Sequence, residues 1–67
     1  MSLWVAQIFD SWQARNGGVV RRAKSWVLFY DLIDELEREV RRRGFHMFDV
    51  GDQYVILCND GAMQVIC

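Results

Sequence analysis

Proline is absent from this chain, histidine and lysine occur once each, cysteine twice, and no apolar run is long. Each scarcity excludes something. With His46 as the sole histidine, nucleophilic catalysis has little material. The cysteine nearest to it in the expected sheet register, Cys58, points to the opposite face, whereas a Cys–His pair needs hydrogen-bond reach. No C-x-x-C, H-x-x-x-H or calcium-loop spacing occurs, so His46, Asp49, Asp52, Asp60 and the cysteines are not expected to hold a metal. Gly17-Gly18 lies outside the G-x-x-x-x-G-K-[ST] frame and Lys24 is the only lysine, so no phosphate loop and no cofactor are expected. The chain is expected to be non-enzymatic.

The longest unbroken apolar runs, Trp26–Tyr30 and Tyr54–Cys58, are too short to cross a bilayer. The opening residues lack a basic n-region, and Gln7 and Asp10 interrupt their apolar pattern, so no secretory leader is expected. No cysteine stands fourth from the end, as prenylation requires. The expected setting is cytoplasmic, with reduced thiols and no membrane.

What is present is apolar material. The 67 residues are 52% apolar, with three Trp and four Phe. That is too apolar for disorder, and it is dense for a mass of 7.9 kDa, at which a folded monomer keeps about 4,400 Å² of surface. Without linker, repeat or low-complexity segment, residues 1–67 read as one domain. The net charge of −1 gives no support to a general nucleic-acid coating role.

Ser2 is a candidate N-cap, and Trp4, Val5, Ile8, Phe9 and Trp12 recur at helical spacing, which predicts a helix over 3–15. A strand over Val5–Phe9 is the alternative. Asp10 has Ala14 four residues on and therefore no cation there. Asn16-Gly17-Gly18 stops the pattern as a left-handed C-cap does. Val19–Arg22 is a candidate short strand near 18–23. Residues 23–30 suit either a strand or the opening turn of the next helix, capped by Ser25. From Asp31 to Arg43 acids come early and arginines late, matching the helix dipole, and Gly44 is the expected stop. Leu32, Ile33, Leu36 and Val40 form its apolar stripe, extended by Phe29. Asp34–Arg38, Glu37–Arg41 and Glu39–Arg43 are acid-before-base pairs at i,i+4.

Three strands follow, 45–50, 53–58 and 62–66, with a type II′ turn at Gly51-Asp52 and a type I′ turn at Asp60-Gly61. Two-residue loops place Val50 opposite Gln53, Phe48 opposite Val55 and Phe45 opposite Cys58. The second hairpin would leave Cys58 and Cys67 four residues out of register, roughly 13 Å apart, beyond the reach of a disulfide. The expected architecture is a small single-domain α+β fold: an N-terminal helix, a central helix packed on a three-stranded antiparallel meander, and a further short strand near 18–23.

One sheet face carries Phe45, Met47, Tyr54, Ile56, Cys58, Met63, Val65 and Cys67, with Asp49, and suits a core. The other carries Phe48, Val50, Val55, Leu57 and Ile66 among His46, Gln53 and Gln64, and is too apolar to face water. Three covers are open: the first helix through Trp4, Ile8 and Trp12 in a three-layer arrangement, a second copy, or a different protein.

The cations fall into two clusters, Arg21, Arg22 and Lys24, and Arg38, Arg41, Arg42 and Arg43. Side by side, these seven would share an edge able to contact phosphates. Against this, Arg38, Arg41 and Arg43 have acidic partners at i,i+4, and arginines suit a helix C-terminus without any ligand. The acids Asp31, Asp34, Glu35, Glu37 and Glu39 form an opposite pole that can imitate phosphate, although helix pairing also explains them.

The order helix, Arg43-Gly44-Phe45, strand, Gly51-Asp52-Gln53-Tyr54, strand, Asp60-Gly61, strand over residues 32–66 resembles the HicA family of toxin ribonucleases, small domains with a double-stranded-RNA-binding-like architecture. The family's catalytic His falls near Gln53 here, so the resemblance implies the architecture without the nuclease. By size and class alone the chain is also similar to phage and mobile-element inhibitors.

The function expected is a non-catalytic protein-binding module, self-associating or acting as an inhibitor or accessory protein. Its apolar anchors would be Trp4, Trp12, Trp26 and Phe48, and its polar ones Arg38, Arg41 and Arg42. The alternative is a nucleic-acid binder using Arg21, Arg22, Lys24, Arg41, Arg42 and Arg43.

Overall fold

Four residues with positive φ decide where elements stop: Gly17 (71°), Asp31 (54°), Gly44 (72°) and Gly51 (61°). The computed structural model describes residues 2–67. Its elements are α1 (Leu3–Phe9), α2 (Trp12–Arg15), β1 (Val19–Ala23), α3 (Lys24–Phe29), α4 (Ile33–Arg42), β2 (His46–Val50) and β3 (Gln53–Leu57).

The expected first helix is broken in two. Ser2 caps α1 as anticipated, accepting from the Val5 amide. Ser11, extended at φ −68° and ψ 157°, then opens α2 by accepting from the Ala14 amide. A serine able to cap a new helix competes with continuing the old one, and here the cap wins. Asp10 does find a cation: Arg15 lies 3.0 Å away, across the break.

Three of the four helices end in the same device. After α2 the Gly17 amide donates to the Ala14 carbonyl and the Gly18 amide to Gln13. After α3 Asp31 donates to Leu28 and Leu32 to Val27, and after α4 Gly44 donates to Arg41 and Phe45 to Val40. These are Schellman closures, with the left-handed C′ position held twice by glycine and once by aspartate. The closure at Asp31 answers the ambiguity over 23–30. The segment is a separate short helix that begins at Lys24 without a side-chain cap, rather than the first turn of α4 capped by Ser25.

The sheet is three-stranded and antiparallel, as expected, in the order β1-β3-β2. The β2–β3 hairpin has the anticipated register, Val50 opposite Gln53 and Phe48 opposite Val55, with positive φ at Gly51 alone, as a II′ turn requires. The third strand corrects the meander. It is β1, paired from Val19–Leu57 to Ala23–Gln53, and residues 62–66 form no strand. The strand β3 has two edges; β2 holds one, and β1, continued by the Cys58 amide donating to Gly18, holds the other. Nor does Asp60-Gly61 make a type I′ turn. The Asn59 side chain accepts from the Gly61 amide and donates to the Gly17 carbonyl, turning the chain away from the sheet. Cys58 is buried, Cys67 is exposed and both thiols are free; the separation reasoned for them assumed the second hairpin, which does not form.

The covered face matches the sequence pattern over β2 and β3. Val5, Ile8, Phe9, Ala14, Val27, Leu32, Leu36 and Val40 from the helices pack with Val20, Tyr54, Ile56 and Cys58 of the sheet, and Phe45 and Met47 border them. All four helices therefore share one core, on one side of the sheet. The three-layer arrangement is not formed: no helix covers the face of Phe48, Val55 and Leu57, and Trp12, offered as its cover, is 73% exposed. Phe29 also leaves the α4 stripe; it is 80% exposed, because the left-handed Asp31 separates α3 from α4.

Candidate functional site

Two surfaces gather part of the apolar material that the core does not use; Trp12, Met63, Val65 and Ile66 are exposed outside both. The first is an aromatic shelf at the junction of α1 and α3. The chain positions it in three steps. Ser2 Oγ, while capping α1, donates to Glu35 Oε2 at 2.6 Å, and the Ser2 amide donates to Oε1 of the same carboxylate. These bonds tie the start of α1 to the first turn of α4 and hold the Glu35 carboxyl below its ordinary pKa, the hydroxyl contributing most. The Trp4 ring then meets Trp26 edge-on at 5.5 Å and stacks on Tyr30 at 5.8 Å. Trp26 and Tyr30 meet at 5.5 Å, and Phe29 stands against Tyr30 at 5.0 Å. Trp26 is half-buried and borders the core; Trp4 and Tyr30 are each 46% exposed, and Phe29 is almost wholly so.

Asp31 follows the shelf directly and Asp34 stands in the first turn of α4; both are exposed. Neither has an ion-pair partner among the described residues. Asp31 adjoins the shelf in sequence, whereas Asp34 lines a groove with Glu37, Arg38 and Arg41.

The second surface is the outer face of the sheet, which no helix packs on among the described residues; Val19, Arg21, Ala23, Val50 and Gln53 are exposed there, and His46, Phe48, Val55 and Leu57 are half-buried. The pairing arranges nine residues in three rows: Val19, Leu57 and His46; Arg21, Val55 and Phe48; Ala23, Gln53 and Val50. Six are apolar and one is charged. His46 sits at a corner, where its Nε2 and the Gly61 carbonyl lie 2.9 Å apart.

The expected anchors are thus divided. Trp4 and Trp26 meet in the shelf, Phe48 lies on the open face, and Trp12 stands alone on α2. Arg38 and Arg41 are exposed on α4, and the anticipated pairs Asp34–Arg38 and Glu37–Arg41 are not formed among the described residues. Arg42 and Arg43 both bind Glu39. With Glu39 nearly enclosed, those two guanidiniums, Arg42 first, bring its carboxyl down to about 2. Arg43 also lies over the Phe9 ring at 4.5 Å, joining the end of α4 to α1. The residues missed as surface are Phe29 and Tyr30. Their signal was the aromatic density of Trp26–Tyr30, whose helical state was open.

The cations do not share an edge. Arg21 and Arg22 are on β1, whereas Arg41 to Arg43 end the helix that packs over β2, and β3 lies between. Arg21 faces the open side; Arg22 is on the covered side, and its Nη1 donates to the Arg21 carbonyl. Lys24 binds Asp49 at 2.8 Å, and that bond, more than any other influence, raises its pKa. Lys24, Arg42 and Arg43 are therefore already engaged by carboxylates.

Among the described residues no three His, Cys, Asp or Glu side chains gather to hold a metal ion, and no helix is long and apolar enough to cross a membrane. Burial raises the pKa of the Cys58 thiol. No family, curated protein or solved structure matches the chain. The likeness to HicA loses its last element, since 62–66 forms no strand and the strand that replaces it, β1, precedes α3 and α4.

Proposed function

We propose that the chain is a non-catalytic protein-binding module that docks through the aromatic shelf on a partner presenting apolar and basic side chains. The observation that supports this most is the exposure of Trp4 and Phe29, each in contact with the exposed Tyr30. Trp and Tyr are the residue types that dominate interface energetics, and a monomer has no use for such a cluster in water. The Asp31 carboxylate beside it favours a cationic partner over a polyanion. The nucleic-acid alternative draws less support, because its cations are split between two edges and half are engaged by acids.

The test is capture of partners with the wild-type chain, followed by titration of the purified partner against variants. Phe29→Ala and Trp4→Ala are expected to weaken binding roughly 30-fold or more, as truncation of an interface hot spot does. Unchanged affinity for both variants refutes the shelf as the docking surface. Duplex RNA or DNA at low salt serves as control; tight binding with a steep salt dependence would favour the phosphate-contacting alternative.

A further inference from the structure

We propose that residues 62–66 of a second copy add as a strand to the free edge of β2, the two copies exchanging these segments reciprocally. The inference is independent of the aromatic shelf. It rests on an open strand edge and an unpaired strand-forming segment in the same chain.

The edge follows from the ladder. The Cys58 amide donates to Gly18, and bonded residues alternate along an antiparallel strand. Tyr54, Ile56 and Cys58 therefore turn their backbone groups to β1, and Gln53, Val55 and Leu57 turn theirs to β2. In the observed register His46, Phe48 and Val50 take those bonds, so the amides and carbonyls of Met47 and Asp49 point away from the sheet. Among the described residues nothing binds them. The outer edge of β1 differs, because the Arg22 guanidinium closes the Arg21 carbonyl. β2 has no proline, lysine or bulge to blunt its edge, and its one carboxylate, Asp49, is engaged by Lys24. Beside it, between β2 and α4, runs a groove of about 430 Å³ whose apolar lining includes Ile33, Val40, Phe45 and Met47.

The occupant is the segment that loses the competition for β3. Residues 62–66 are enough for a strand, form none, and are exposed throughout. Extended, they set Met63 and Val65 on one side, which suits the groove. Turning back after β3, the segment can reach the β2 edge of its own chain only parallel to β2, and the structure does not pair it there. A second copy can pair antiparallel, the stronger ladder. A twofold axis between two β2 strands lays both segments side by side in one continuous sheet, a closed arrangement. Each segment then lies three strand spacings from its own β3, about 14 Å, and the steps from Leu57 to Ala62 reach about 16 Å. As an extended chain the segment exposes about 800 Å². Losing half of that, with an equal loss on the edge that receives it, removes roughly 1,600 Å² for the two segments, the size of a specific interface.

Sedimentation velocity between about 10 µM and 1 mM and amide hydrogen exchange followed by NMR test the exchange of segments. The apparent mass is expected to rise from one chain to two, and exchange of the Met47 and Asp49 amides to slow about tenfold or more as it does. Val65→Pro puts into the segment a residue that an inner strand does not tolerate, at a site 75% exposed in the single chain. It is expected to keep the wild-type circular dichroism and to stay a single chain, whereas Val65→Thr, still β-branched, is expected to dimerise. A single-chain mass over the whole range with both amides open overturns the proposal and leaves the edge to a different protein. Protection of those amides in a single chain overturns it in favour of pairing within one molecule. Two-chain assembly that survives Val65→Pro, or growth beyond two chains, also overturns it.

Discussion

Three helices of this chain close with the same hydrogen bonds, but one of them places an aspartate where the others place glycine. Substituting Asp31→Gly should therefore stabilise the fold. At φ 54° the Asp31 backbone lies in the left-handed region, where an L-residue loses about 1 kcal/mol, aspartate being at the tolerant end. Glycine removes that strain but adds unfolded-state freedom worth about 0.5 kcal/mol. The net gain is about 0.5 kcal/mol, or roughly 2–4 °C in melting temperature for a domain of this size. The two glycine closures supply the reverse experiment. A Cβ at Gly44 would meet the Asp60 Cβ at 3.7 Å, and one at Gly17 the Cys58 carbonyl at 3.8 Å, both ordinary contacts. Alanine at either position is opposed by the backbone alone, so Gly44→Ala and Gly17→Ala should each cost about 1 kcal/mol and lower the melting temperature by roughly 4–8 °C. Thermal melts of the three variants followed by far-ultraviolet circular dichroism decide the matter. A lower melting temperature for Asp31→Gly would refute the reasoning, and would show that the aspartate side chain contributes more than its backbone loses.

Two further outcomes follow from burial and charge. Glu39 has a carboxyl held down to about 2 against an ordinary 4.5, so its contribution is complete above the ordinary range and disappears as pH falls from about 4.5 to about 2. After solvent screening of the exposed Arg42, that contribution is about 1–2 kcal/mol. Melts between pH 2 and pH 7 should show wild type losing more stability in that window than Glu39→Gln, and parallel profiles would contradict the clamp. Leu36, with no exposed surface, should cost about 2–5 kcal/mol as Leu36→Ala, whereas Trp12→Ala on an open surface should stay within about 0.5 kcal/mol. Urea titration measures both, and a large loss at Trp12 would mean that α2 packs more deeply than the structure shows.

Much of the architecture was legible because short-range chemistry dictates it. Gly44 after an arginine-rich helix end is a stop whatever follows, and Gly51-Asp52 between alternating strands admits one register, which then assigns Met47 and Ile56 to one face and Phe48 and Val55 to the other. The identity of the third strand was not local. Val19–Ala23 and residues 62–66 are both short apolar segments, and they compete for a single remaining edge of β3. A two-residue Asp-Gly turn favours the later segment on loop closure. The earlier one wins through contacts that pairing alone creates: Cys58 donating to Gly18, and Asn59 reaching Gly17. The same limit governed the site. Trp4 and Trp26 stand out by type, but Phe29 fits the α4 stripe as long as the helix is imagined to run through it. Only the left-handed turn at Asp31, an aspartate rather than a glycine, rotates Phe29 and Tyr30 onto the surface beside Trp4.

The bare face of the sheet is a consequence of connectivity. β1 and β2 both run antiparallel to β3, so they are parallel to each other, with β3 between them. Parallel strands need a crossover, and the crossover here is α3 with α4. Such a connection lays its helices on one face. α1 and α2 enter β1 through the Gly17-Gly18 closure and complete the same core. A chain with one crossover has no second helical layer to spend, so the apolar residues of the far face are left without a helix to cover them.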